Sequence, residues 1–89
     1  MRAREFVVAA EIRIEQLDHW VAEGWLLPTE PADEADYSEI DLARARFIRD
    51  MLGLGVNEDG LPIILDLVDQ LHSARRLLRD LARGAAEPM

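Results

Sequence analysis

The chain of 89 residues contains no cysteine and no lysine, and its apolar runs are only a few residues long. Without cysteine there is no disulfide framework, no thiolate metal site and no thiol nucleophile. Runs this short fall far below the roughly 20 apolar residues that span a bilayer, and the N-terminus lacks the apolar stretch of a signal peptide. A cytoplasmic protein is expected, with no membrane partner. A length of 89 residues also predicts one small core rather than a deep enclosed active site.

Charge is present in excess of one sign, a net −8 from 18 acidic residues and 10 arginines, and it is unevenly placed. Eleven acids face three arginines between residues 1 and 43, whereas residues 44 to 89 hold seven of each. The whole excess therefore belongs to the N-terminal half. A field of that sign repels phosphates and anionic lipid and attracts basic surfaces, in a salt-dependent way.

Apolar spacing predicts four helices and an all-α fold. The first runs from Arg2 to a turn at Glu11 to Arg13, with Phe6, Val7 and Ala10 inward. The second carries Ile14, Leu17, Trp20 and Val21 on one stripe and ends at Gly24, a residue suited to a left-handed C-cap. Two prolines then argue against helix, and Trp25 to Leu27 read as a short strand or an extended plug of the core. Six of the twelve residues from Glu30 to Asp41 are acidic, the composition of a solvated loop. Ser38 is a good N-cap for the third helix, with Glu39 and Asp41 in its first turn and Gly53 and Gly55 at its end. Its buried face is expected at Ile40, Ala43, Phe47 and Met51.

The fourth helix is the longest, capped at Asp59 with Pro62 in its third position and running to Arg83. Ile64, Leu67, Leu71, Ala74, Leu78 and Leu81 repeat at spacings of three and four, the pattern of a coiled-coil seam. Leu61, Leu65, Val68 and Leu77 widen that stripe. A homodimer through Ile64, Leu67, Leu71, Leu78 and Leu81 follows as the expectation. The organisation expected is a helix-turn-helix domain over residues 1–56, a long helix over 57–84 packing on it and on a partner subunit, and a disordered tail over 85–89.

Little in the chain points to catalysis. His19 and His72 are isolated, without a second histidine at metal-ligand spacing, and Gly53 and Gly55 lack the rest of a phosphate-cradling fingerprint. No enzyme activity, catalytic residue, metal, cofactor or small-molecule substrate is expected. Helix, tight turn, second helix, loop and two further helices is instead the plan of a winged helix-turn-helix domain, whose second helix enters the major groove. Here that helix offers Glu15, Asp18 and Glu23 where Arg, Lys or Asn would be needed, and the wing position is the acidic loop. Direct nucleic-acid binding by this face is not expected.

The segments EGWLLP and YSEIDLARARFIRDMLGLGV resemble the N-terminal domain of MerR-type regulators over about Arg4 to Val56, except that Glu15 and Asp18 stand where those proteins carry Arg. With the turn from Asn57 to Leu61 and the runs ILDLVDQLH and RRLLRDL, nearly the entire chain is similar to the chaperone modulators of the CbpM type within that superfamily. The resemblance implies a cytoplasmic dimer that binds the J-domain of a DnaJ/CbpA-like co-chaperone and inhibits its co-chaperone and DNA-binding activities. An acidic module covering a basic J-domain helix would place the contact on Glu15, Asp18 and Glu23 of the second helix and on Asp33, Glu34 and Asp36 of the loop. His19 and Trp25 are further candidates at the rim and as an anchor, Trp25 reading first as core. The alternative is a MerR-type transcription regulator that binds DNA through a partner subunit or through the arginines of the C-terminal half.

Overall fold

The computed structural model describes residues 1–86, as four helices: α1 (Ala3–Ala10), α2 (Ile14–Ala22), α3 (Glu39–Gly53) and α4 (Leu61–Ala86). The described residues contain no strand. They divide into two units, residues 1–58 and the segment from Asp59 onward.

In the first unit α1 packs against both α2 and α3. The core is Phe6, Ala10, Ile12, Leu17, Trp20, Trp25, Leu26, Ala35, Tyr37, Leu42, Ala45 and Ile48, all buried. Each large side chain among them contributes about 1.5–3 kcal/mol by leaving water. Trp25 and Leu26 thus form an extended plug rather than a strand, while Leu27 turns outward. Ile14 departs from the expected stripe and is exposed.

The first three helices end in the same way. In a Schellman turn a residue at positive φ lets its own N–H and that of the following residue reach back to carbonyls of the last turn. At α2 the left-handed residue is Gly24 (φ 79°): its N–H donates to Val21 O at 3.1 Å and that of Trp25 to Trp20 O at 2.9 Å. At α3 it is Gly55 (φ 94°), with bonds to Leu52 O and, from Val56, to Met51 O. At α1 it is Glu11 (φ 58°), bonded to Val8 O while Ile12 bonds to Val7 O. A glutamate there gives up roughly 1–2 kcal/mol of backbone preference relative to an ordinary helical or extended conformation.

Ser38 caps α3 as expected: its Oγ accepts from the Asp41 N–H at 3.1 Å, and its own N–H donates to the Asp41 carboxylate at 2.9 Å. The buried face of α3, however, lies opposite the expected one. Leu42, Ala45 and Ile48 are buried, Ile40 is 81% exposed, Ala43 is exposed, and Phe47 and Met51 are half-buried. α3 also meets the end of α1, whose last carbonyls lack intrahelical donors. Arg46 donates to Ala9 O and Arg49 to Ala10 O, at 2.9 and 2.8 Å. These bonds accompany the burial of Leu42, Ala45 and Ile48 and set guanidinium charge at the negative end of a helix dipole.

In the second unit, α4 starts one residue later than a cap at Asp59 would give. Gly60 O accepts the first helical bond, from Ile64 N–H, and Pro62 sits in the second helical position, where its missing N–H has no intrahelical partner to lose. The helix continues through Gly84 to Ala86, past the start of the expected tail, whose residues 87–89 lie outside the described residues. Leu67, Leu71, Leu77, Leu78 and Leu81 along it are 48–65% exposed. No helix among the described residues is long and apolar enough to cross a membrane.

Candidate functional site

The outward face of α2 follows from what its inward face must bury. Leu17 and Trp20 are fully covered, so the 3.6-residue period turns Glu15, Asp18 and His19 to solvent, and Glu23 follows at the C-cap. All four are exposed, and Glu15 lies in the first turn, where a carboxylate also complements the helix dipole. No arginine lies within α2; Arg13 precedes it, its N–H bonded to Gln16 Oε1.

The acidic loop is held from within by two buried side chains, Ala35 and Tyr37. The Tyr37 ring stacks on Phe6 with centroids 4.3 Å apart, and its hydroxyl donates to Ala32 O at 2.7 Å. A turn formed by Glu34 and Ala35 N–H groups on Pro31 O completes the fix. Asp33 and Glu34 are thereby displayed in solvent. Asp36 is exposed but engaged, its carboxylate accepting from the Met1 ammonium at 2.8 Å, which holds it below the usual carboxylate range. The Tyr37 phenol is pushed above its ordinary value by burial and then by the negative charges of Asp18, Asp41 and Asp33. Asp18 of α2 and Asp33 of the loop thus act on one phenol, from two separate elements.

Trp25 is core: its ring is buried, and its carbonyl accepts from Arg44 Nε at 2.6 Å. His19 lies at the surface, Nε2 at 2.7 Å from Glu58 Oε1 and the ring edge-on to Trp25. That pairing, across 39 positions, carried no signal in the sequence. Nor did the use of Arg44, Arg46 and Arg49, each of which donates to a backbone carbonyl within the first unit. Of the seven arginines after residue 43, the remaining four, Arg75, Arg76, Arg79 and Arg83, stand exposed along α4.

Two short helices joined by the turn at residues 11–13, the second with its polar face exposed, are the geometry of a helix-turn-helix. No curated protein and no solved structure matches the chain significantly. The family model described as MerR HTH family regulatory protein matches residues 1–68, more than half of the chain. The α2 face therefore stands where a regulator of this kind presents its reading helix, and the chain belongs to the MerR helix-turn-helix family.

Proposed function

We propose that this MerR-family chain is a chaperone modulator of the CbpM type, which uses the acidic α2 face and adjoining loop to bind the basic helix of a J-domain and so inhibits a DnaJ/CbpA-like co-chaperone. The observation that carries the reading is the sign of the exposed residues: Glu15, Asp18 and Glu23 on α2, Asp33 and Glu34 on the loop, and no arginine within α2. A DNA backbone would meet repulsion at each of these positions, whereas a basic protein surface would be steered onto them. Charge sets encounter rate and partner choice, while apolar contacts supply much of the affinity.

The same reading makes the protein cytoplasmic, non-catalytic and independent of a cofactor. It also makes it a homodimer through the exposed leucines of α4, where Ile64, Leu67, Leu71, Leu78 and Leu81 keep coiled-coil spacing. Calorimetric titration with a purified J-domain tests the reading: binding that weakens as salt rises supports it, and no heat at micromolar concentrations, at low or moderate salt, rejects it.

Two observations keep a second reading, a transcription regulator that still binds DNA. The family description is that of a regulatory protein, and Arg75, Arg76, Arg79 and Arg83 are exposed along α4 for phosphate contact. A mobility-shift titration with duplex DNA separates the two.

A further inference from the structure

His19 is the one residue on the acidic α2 face that can carry positive charge. Its Nε2 stands 2.7 Å from Glu58 Oε1, and its ring lies edge-on to Trp25 with centroids 5.6 Å apart. Glu58 is the last residue of the first unit, in the irregular segment between the Schellman turn at Gly55 and the start of α4 at Leu61. The His19–Glu58 bond therefore ties the chain that leads into α4 back onto α2.

We propose that His19 and Glu58 form a protonation-dependent clasp, closed when the imidazole is charged and released when a basic surface occupies the α2 face. With the ring protonated the bond is charge-assisted, roughly twice as strong as a neutral one. A neutral ring keeps only an ordinary N–H donor, and only in the tautomer with hydrogen on Nε2. The charges that act on His19 are Glu58 from the junction and Glu23 at the end of its own helix, both acidic, with Asp18 and Glu15 exposed on the same helix. The segment after α2 contributes the uncharged Trp25, whose carbonyl already holds Arg44 of α3. The hydrogen bond to Glu58 leads, and against a partial desolvation it and the charges of Glu58 and Glu23 hold His19 above its ordinary 6.5. Because the folded value is raised, the clasp is fully present below 6.5 and is lost as pH rises through the raised value.

The link to a partner rests on the functional reading above. A cationic surface on α2 sets positive charge beside Glu23 and Glu58, lowers the affinity of His19 for its proton and expels it. A phosphate surface on the same face has the opposite effect and draws a proton on. The direction of proton exchange thus reports the charge of whatever binds.

The test uses the full chain. The His19 Cε1–H resonance is titrated with pH in the wild type and in Glu58→Gln, and amide exchange of residues 56–58 is followed with correction for its intrinsic pH dependence. Both side chains are half-exposed at the surface, so the variants fold, which far-UV circular dichroism verifies. His19 is expected to titrate above an ordinary histidine in the wild type and lower in Glu58→Gln. Exchange at the junction is expected to step up as His19 deprotonates, with no step in Glu58→Gln or His19→Gln. An unchanged His19 midpoint in Glu58→Gln, or a junction without a step, overturns the clasp. Calorimetry with a purified J-domain, in two buffers of different ionisation enthalpy near neutral pH, reads the coupling: a fraction of a proton released by the wild type and none by His19→Gln. Binding without proton release overturns the coupling. No binding at all overturns the functional reading, and the titration of the free chain still decides the clasp.

Discussion

Replacing Ile48 and Ile40 by alanine, one at a time, makes the same chemical change on opposite faces of α3. Ile48 is fully buried, and truncating a core isoleucine to alanine costs about 2–5 kcal/mol through lost burial and the cavity left behind. Ile40 is 81% exposed, so Ile40→Ala forfeits little burial and gains a better helix former; its effect is expected within about 0.5 kcal/mol of zero. A chain of this size has roughly 4–13 kcal/mol of stability in total. Ile48→Ala therefore removes a large share of it, and at about 4–8 °C per kcal/mol its midpoint should fall by at least about 8 °C. Thermal unfolding followed by far-UV circular dichroism reads the midpoints, and urea unfolding, with the slope against denaturant checked for constancy, reads the free-energy losses. Equal losses, or a larger loss for Ile40→Ala, would mean that α3 buries the stripe of Ile40, Ala43, Phe47 and Met51 after all.

The turn at Glu11 offers a gain rather than a loss. Glu11→Gly relieves a left-handed backbone and surrenders only an exposed 3.5 Å ion pair with Arg49, so stability should rise by up to about 1 kcal/mol, while Gly24→Ala should lose about as much. At Gly24 an added Cβ meets nothing within 4 Å, so any loss there comes from conformation alone; denaturant midpoints out of that order contradict the turn geometry. For self-association, Leu71→Asp with Leu78→Asp should convert a dimer into a monomer in sedimentation equilibrium, and a persisting dimer places the interface elsewhere. On the acidic face, Glu15→Arg with Asp18→Arg should weaken J-domain binding by roughly tenfold or more, with circular dichroism unchanged. Unaltered affinity would move the contact off α2.

Much of the first unit is legible in the sequence because its signals are local. Gly24 and Gly55 mark helix ends since a left-handed residue is cheapest as glycine, and Ser38 with Asp41 spells a capping box within four positions. The turn at Glu11 carries no such mark, because glutamate does not advertise positive φ. The face of α3 was hidden for a different reason. Ile40, Ala43, Phe47 and Met51 form one apolar stripe and Leu42, Ala45 and Ile48 another, and periodicity alone cannot choose between them. The choice is made by packing against α1, where Arg46 and Arg49 also reach the carbonyls of Ala9 and Ala10, contacts more than thirty positions apart. For the candidate site, the acidic residues were legible as composition and helical phase. The neighbours of Asp36 and His19, namely Met1 and Glu58, come from the fold and could not be read from spacing.

The claim that an inherited reading helix has been turned to a basic protein partner is tested most directly by titrating one preparation against a purified J-domain and against duplex DNA, each at low and moderate salt. Micromolar or tighter binding to the J-domain that weakens with salt, and no shift of the DNA at either salt, is the expected result. A salt-sensitive DNA shift with no heat from the J-domain would contradict it and return the chain to the regulators of its family.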